Sequence, residues 1–198
     1  MDAIDFVKTL KTLYTGSHTA EEVCVDSGTF LAVEGEGEPG GTAFVEAIQI
    51  MYAAVYTLKF AVKHEGRVDF KVCKLEALWF SDPAVTPRSQ WRWRLLVRVP
   101  DAITSKDLAA TRKTLMERKG IDATTVKRVT WKEGRAVQLL HVGPYDGLPD
   151  TYARLAAFAE ERGLAVSCPG HEIYLSDPRA TAPEKLRTLV RMPVKRRK

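Results

Sequence analysis

The chain is poor in cysteine for a protein of 198 residues, with Cys24, Cys73 and Cys168 its three thiols. An odd number of widely separated cysteines provides neither a disulfide framework nor the paired spacing of a structural zinc site. We therefore expect free thiols in a reducing compartment, no bound metal and no cofactor.

The chain also lacks an apolar run long enough to cross a bilayer. The longest such run, around residues 53–62, is interrupted by Lys59 and falls short of the roughly 20 residues that a spanning helix needs. The first five residues have neither the basic start nor the apolar core of a secretory signal. These features predict a cytoplasmic protein with no membrane partner.

Two functional patterns are missing as well. The net charge is +5, but much of the excess lies in residues 195–198, and no basic helix interleaved with aromatic residues occurs elsewhere. Because net charge alone is a weak signal, we predict no nucleic-acid partner. No Gly-x-Ser-x-Gly elbow is present, so a serine-hydrolase triad has no support. A cysteine nucleophile paired with His141 stays open.

One motif matches the sequence pattern of a dinucleotide-binding fingerprint, but not its chemistry. Residues 35–40, Gly-Glu-Gly-Glu-Pro-Gly, stand between a predicted strand and a predicted helix. However, Glu36 and Glu38 would repel a pyrophosphate, and Pro39 lacks the amide hydrogen that should face it. The segment is therefore interpreted as a tight acidic turn.

What the chain does contain is a repeated motif of an acid, an aromatic residue and Ser-Asp-Pro. It occurs over residues 76–83 and again over residues 172–178, with one extra residue between the Glu and the Ser of the first copy. On a strand, Glu172 and Tyr174 share one face, whereas His171 faces away from Glu172. Burying an acid in an apolar strand is costly unless it is paired. We therefore predict an internal duplication in which Glu76 and Glu172 face a shared cleft.

The hydrophobic periodicity supports the duplication. Phe30 to Val99 and Arg135 to Val194 each read strand, Gly-rich turn, helix, strand ending in Ser-Asp-Pro, loop and strand. This pattern predicts one α+β domain over residues 1–198, built of duplicated strand-helix-strand-strand modules with antiparallel sheets, a pseudo-twofold axis and a central cleft. Further predictions are a helix over 2–14, a strand over 68–72 with a β-bulge near Cys73, and a capping box from Thr104 to Asp107.

A cleft that combines aromatic walls with carboxylates suits flat, apolar molecules that are cationic or donate hydrogen bonds. The predicted ligand-binding residues are Glu172, Glu76, Tyr52, Tyr56, Trp79, Trp93, Tyr145 and Tyr174. A desolvated glutamate has a raised pKa and can act as a general acid or base on water, which makes Glu172 and Glu76 the catalytic candidates. The simpler alternative is that the aromatic residues pack in the core and the glutamates lie at its edge.

Taken together, these motifs resemble the GyrI-like family of small-molecule-binding proteins. The segments that carry the resemblance are residues 33–37, 51–59, 75–79, 91–93, 141–145 and 172–178. The resemblance implies a duplicated fold with a central aromatic cleft and a ligand-anchoring glutamate, which falls on Glu172. The family includes the effector domains of multidrug-responsive regulators. Some stand-alone members are similar to enzymes that hydrolyse the cyclopropane ring of DNA-alkylating antibiotics.

Three functions follow as hypotheses, and they leave the oligomeric state open. The first is binding or sequestration of planar or cationic hydrophobic compounds, with Glu172 as the anchor and Glu76 as its partner. The second is hydrolytic opening of a strained ring, with either glutamate orienting water. The third is a protein-inhibiting module, as the family name suggests. The predicted partner in the first two is a hydrophobic or aromatic small molecule.

Overall fold

The computed structural model of the protein describes residues 2–197. Within that range the chain forms a nine-stranded antiparallel sheet and five α-helices, which confirms the predicted α+β class. The helices are α1 Phe6–Thr9, α2 Lys11–Thr15, α3 Thr42–His64, α4 Ser105–Lys119 and α5 Leu148–Glu161. The strands are β1 Glu21–Val25, β2 Gly28–Glu36, β3 Leu75–Trp79, β4 Arg92–Val99, β5 Lys127–Trp131, β6 Gly134–Val142, β7 Leu164–Val166, β8 Gly170–Tyr174 and β9 Arg187–Arg196.

The strand order shows the duplication directly. The sheet runs β1-β6-β9-β8-β3-β4-β2-β5, with β7 beside β9. In this order β6-β9-β8 is the mirror of β2-β4-β3, so the two predicted repeats lie side by side in one continuous sheet. Strands β3 and β8 pair at its centre, and the pseudo-twofold axis passes between them.

The turns that follow β3 and β8 fix how the repeats correspond. The hydroxyl oxygen of Ser81 accepts a hydrogen bond from the Arg92 amide at 2.8 Å, and that of Ser176 accepts one from the Arg187 amide at 3.1 Å. Ser176 follows Ser81 by 95 positions, and Arg187 follows Arg92 by the same 95 positions. The two Ser-Asp-Pro turns are therefore equivalent without any inserted residue.

Helices α3 and α5 cover one side of the sheet, which we call the helix face. Helix α3 lies on β2 and β4, and α5 lies on β6 and β9. By length and composition alone α3 could cross a membrane, but it buries Met51, Val55 and Leu58 against the sheet as core helices do. The two helices leave the central pair of strands between them.

The opposite side of the sheet, the far face, is covered at its centre by the N-terminal segment. The single helix predicted over residues 2–14 is divided into α1 and α2, because Leu10 has a non-helical backbone (φ −115°, ψ 48°). This break lets α2 turn so that Tyr14 is buried at 5% exposure.

Two smaller predictions had different outcomes. The capping box is confirmed, since Asp107 N–H donates to Thr104 Oγ1 at 3.2 Å and Thr104 N–H donates to Asp107 Oδ2 at 2.7 Å. The predictions of a strand over 68–72 and of a β-bulge near Cys73 are wrong. Phe70 makes one isolated bridge with Ile4 instead, and β3 begins only at Leu75. The alternating apolar residues there belong to an extended segment that packs into the core without joining the sheet.

Candidate ligand-binding site

The candidate site is built around Glu172, at the centre of the sheet on the helix face. The register pairs Glu172 with Ala77, so both side chains point toward the helices. The Glu172 carboxylate accepts a hydrogen bond from the Tyr152 hydroxyl and another from the Tyr174 hydroxyl, each at 3.0 Å. Glu172 is 7% exposed. It is therefore a buried acid held by two neutral donors.

Burial and hydrogen bonding act in opposite directions on this carboxylate. Burial raises the pKa of Glu172, while the hydroxyls of Tyr174 and Tyr152 and the nearby indole of Trp79 lower it by a smaller amount. Burial and the charge of Glu172 also raise the pKa of both tyrosines well above their usual value. Both hydroxyls consequently stay protonated at neutral pH and keep donating to the acid.

The indole N–H of Trp79 is a buried donor beside this acid. It makes no direct hydrogen bond to any group in residues 2–197, although it lies close enough to Glu172 to lower the pKa of that carboxyl. The ring is fixed by stacking on Phe44, with the centroids 5.6 Å apart. Because buried polar groups are nearly always paired, this donor is suited to an acceptor atom of a ligand or of a bound water.

Tyr145 forms the more exposed side of the site. Its ring meets that of Tyr174 edge to face at 5.9 Å, and it is 38% exposed. Burial and the charge of Glu172 raise the pKa of Tyr145. The turn that carries Tyr145 is held by His141, whose Nε2 donates to the Pro144 carbonyl at 2.9 Å.

The other ring nitrogen of His141, Nδ1, lies 2.9 Å from the hydroxyl of Thr151. A carbonyl oxygen only accepts, so Nε2 carries a hydrogen and donates to Pro144, while Nδ1 is hydrogen-bonded to the Thr151 hydroxyl. Both nitrogens are thus engaged in holding the turn. Among the described residues neither ring nitrogen of His141 is hydrogen-bonded to a thiol, so the geometry gives no support to a cysteine nucleophile activated by His141.

The remaining predicted aromatic residues lie further from Glu172. Tyr52 on α3 is half-buried, and its pKa is raised by burial and by the neighbouring Tyr56 and Asp177. Tyr56 is 47% exposed, with its ring 6.3 Å from that of Tyr52. Trp93 is buried and meets Phe44 edge to face at 5.2 Å, so it supports the ring on which Trp79 stacks. Contact of these three residues with a ligand stays a prediction.

Glu76 is not part of this site. It pairs with Ile173 in the register, one position away from the Ala77–Glu172 pair, and therefore points to the far face. The prediction that Glu76 and Glu172 face one cleft is wrong. Because the repeats match without an insertion, the residue equivalent to Glu76 is His171, and a shift of one residue along a strand reverses the face.

On the far face, Glu76 belongs to a buried polar cluster, which we call the far-face network. The hydroxyl of Tyr14 donates to Glu76 Oε1 at 2.8 Å, and His171 Nε2 lies 2.9 Å from Glu76 Oε2. His171 Nδ1 lies 3.1 Å from both oxygens of Glu133, to which Arg191 Nη1 also donates at 2.9 Å. Arg191 further donates to the Leu13 carbonyl at 2.9 Å, which ties the N-terminal segment to the sheet.

Sequence reasoning missed three residues of these two clusters. Tyr152 was not among the predicted ligand-binding residues, because a helical ring that packs in the core and one that donates to a site look alike in sequence. Glu133 stands at a turn and gave no signal. Arg191 did carry one, because a charged residue within an apolar strand requires a partner in the same way as Glu172.

No group of His, Cys, Asp and Glu side chains in residues 2–197 is arranged to hold a metal ion. The three cysteines are free, and burial raises the pKa of Cys73 to about 12. The thiol of Cys73 is therefore protonated and unreactive at neutral pH.

Comparison with known proteins identifies the family to which the chain belongs. The family profile described as the GyrI-like small molecule binding domain matches residues 21–195. A crystal structure of an uncharacterized conserved protein from Listeria innocua is 36% identical, with a TM-score of 0.92 over 97% of this chain and 100% of that chain. A hydrolase from Listeria innocua is 37% identical, with a TM-score of 0.89 over 97% and 100%.

A more distant structure, the C-terminal domain of EcmrR, shares the fold at 13% identity. Its TM-score is 0.62, and the match covers 90% of this chain and 98% of that chain. No curated protein matches the sequence.

Proposed function

Because this chain belongs to the family of GyrI-like small molecule binding domains, we propose that it binds flat, apolar molecules that carry a positive charge or an N–H or O–H donor at Glu172. The observation that carries this proposal is the state of the Glu172 carboxylate. It is buried, receives two tyrosine hydroxyls, and forms no ion pair with any residue between positions 2 and 197.

A buried carboxylate without an opposite charge is costly, and a cationic or hydrogen-bond-donating ligand offsets that cost. The aromatic residues around it supply the rest of the affinity. Trp79, Tyr145 and Tyr174 present ring faces and edges close to the acid, which favours stacking and cation–π contacts. Tyr52, which lies on α3, would extend this aromatic surface.

A planar cationic dye such as ethidium, followed by fluorescence, tests the proposal. Glu172→Gln keeps the shape but removes the charge and is expected to weaken binding by about tenfold or more, since a hydrogen bond to a charged group contributes about 1.5–3 kcal/mol. Glu184→Gln is the matched control, because it removes one charge at an exposed position of the same repeat. Equal affinity of Glu172→Gln and wild type would contradict the proposal.

A second candidate function is hydrolysis of a strained electrophilic ring. The observation that favours it is the unpaired Trp79 N–H beside an acid of raised pKa, and a relative of 37% identity is described as a hydrolase. A water that accepts from Trp79 and donates to Glu172 would be oriented for attack. As its oxygen bonds to a cyclopropane carbon, Glu172 takes the proton, the ring C–C bond breaks, and the electron pair moves into the attached conjugated group, which is then protonated.

Mass spectrometry separates the two functions. Incubating a molar excess of a cyclopropane-bearing alkylating natural product with the protein is expected to give the water adduct over many turnovers. Glu172→Gln should abolish turnover, whereas Glu184→Gln should not. Recovery of the compound unchanged, or consumption of only one equivalent, would leave binding as the function.

A further inference from the structure

The far-face network lies directly behind the candidate site. His171 precedes Glu172 on β8, so the two side chains project from opposite faces of one strand. The His171 side chain is 1% exposed and is enclosed by Glu76 from β3, Glu133 from the β5–β6 turn and Arg191 from β9. The indole of Trp131 on β5 meets the imidazole edge to face at 5.2 Å.

The contacts of His171 favour its doubly protonated form. Each ring nitrogen faces a carboxylate, Nε2 that of Glu76 at 2.9 Å and Nδ1 that of Glu133 at 3.1 Å. Ionised carboxylates only accept, so both nitrogens must donate, and only the imidazolium has two N–H groups. With Arg191, the network then holds two negative and two positive charges, which is the condition for burying them at modest cost.

We propose that His171 is a positioning residue for the candidate site, whose positive charge, fixed behind β8, keeps Glu172 ionised. The groups that face Glu172 on its own side are neutral: the hydroxyls of Tyr152, Tyr174 and Tyr145, and the indole of Trp79. The role of Glu172 in ligand binding is taken from the proposed function, on which this inference rests.

The direction of the electrostatic effects agrees with this geometry. Burial raises the pKa of Glu172, and the charge of His171 acts in the lowering direction, after the larger contributions of Tyr174, Tyr152 and Trp79. Burial lowers the pKa of His171, but Glu133 and Glu76 together leave it raised. Glu76 therefore influences the site through His171, and without contacting it.

A carbon-13 NMR titration of the glutamate carboxyls tests the inference without any ligand. The Glu172 signal is identified by its loss in Glu172→Gln. In His171→Gln the midpoint of Glu172 is expected to move up by about half a pH unit, less than for an opposite charge in direct contact, because the two side chains project from opposite faces of β8. Tyr14→Phe is the control, because it disturbs the same network through Glu76 but removes no charge, and it should leave the midpoint in place.

Nitrogen-15 spectra of wild-type protein provide a second measurement in case His171→Gln does not fold. The signals of His171 are assigned by elimination, with substitutions of His18, His64 and His141. We expect the imidazolium pattern at pH 7. A neutral His171 at that pH, or an unchanged Glu172 midpoint in His171→Gln, would overturn the inference.

The two proposals fail in different ways. If Glu172→Gln binds the dye more weakly, but the titration midpoint of Glu172 is the same in His171→Gln and in wild type, the inference is overturned and the proposed function stands. If the midpoint of Glu172 moves in His171→Gln, but Glu172→Gln binds the dye as tightly as wild type, the electrostatic link is upheld and the proposed function is overturned.

Discussion

The two repeats differ most where they meet. With the Ser-Asp-Pro turns superimposed, Ala77 of the first repeat corresponds to Glu172 of the second, and Trp79 corresponds to Tyr174. The register pairs Ala77 with Glu172 directly across the pseudo-twofold axis. The nearly symmetric central pair of strands therefore carries one acid on the helix face, beside a small residue that leaves space for it.

This asymmetry has an electrostatic reason. Two glutamates at the Ala77 and Glu172 positions would face each other across neighbouring strands, where like charges repel and one carboxyl would remain protonated. On the far face the equivalent residues are Glu76 and His171, which contact each other at 2.9 Å. Duplicated positions have thus diverged into an acid beside alanine on one face, and an acid beside a base on the other.

The largest expected effect comes from making the second repeat resemble the first on the far face. Arg191 corresponds to Leu96, which is fully buried in an apolar cluster. Arg191→Leu leaves the buried carboxylate of Glu133 without this partner and should destabilise the protein by about 3–5 kcal/mol. Urea unfolding measures the loss. Arg187→Leu, an exposed change on the same strand, should stay within about 0.5 kcal/mol. Similar values for both would contradict the charge-balanced network.

The two equivalent rings of the helix face should respond differently to the same substitution. Tyr174→Phe removes a donor to Glu172 and should cost about 1.5–3 kcal/mol when that acid is ionised. The cost should therefore grow between pH 5 and pH 8. Trp79→Phe removes an N–H that has no direct partner in residues 2–197 and that lowers the pKa of Glu172 less than the Tyr174 hydroxyl does, so its cost comes mostly from packing and should change less with pH than that of Tyr174→Phe. Thermal unfolding at both pH values compares them, and parallel behaviour would contradict the assigned contacts.

The buried carboxylate of Glu172 is expected to lower the free energy of unfolding, whereas its counterpart Ala77 carries no charge. The pKa of Glu172 is raised in the folded protein. The folded state therefore binds more protons than the unfolded state above the ordinary glutamate pKa, and stability falls as the pH rises through that interval. Glu172→Gln should accordingly be more stable than wild type by about 1 kcal/mol at pH 8, a typical size for one substitution. The gain should vanish toward pH 4, and a gain that persists there would have another cause.

Much of this arrangement could be predicted because strands have a period of two. The spacing of Glu172 and Tyr174 predicts that both lie on one face of the strand and that His171 lies on the other. The face on which Glu76 lies could not be predicted in the same way. The two repeats can be aligned by their glutamates or by their Ser-Asp-Pro turns, and the two alignments differ by one residue. A difference of one residue moves a side chain to the other face of the sheet. The partners Tyr152, Glu133 and Arg191 depend on which strands and helices become neighbours, a property of the whole sheet.

The correspondence of the repeats is itself testable at the two serines that define it. Each hydroxyl accepts one backbone hydrogen bond across an equivalent turn, and each serine is half-buried. Ser81→Ala and Ser176→Ala should therefore each cost about 0.5–1.5 kcal/mol. The two effects should agree and should add in the double variant within about 0.5 kcal/mol, because the turns lie at opposite ends of the antiparallel β3–β8 pair. Ser89→Ala, at an exposed position of the first repeat, is the control for loss of a hydroxyl. Unequal effects measured by urea unfolding would mean that the turns are not equivalent, and the pairing of Ala77 with Glu172 as duplicated positions would lose its support.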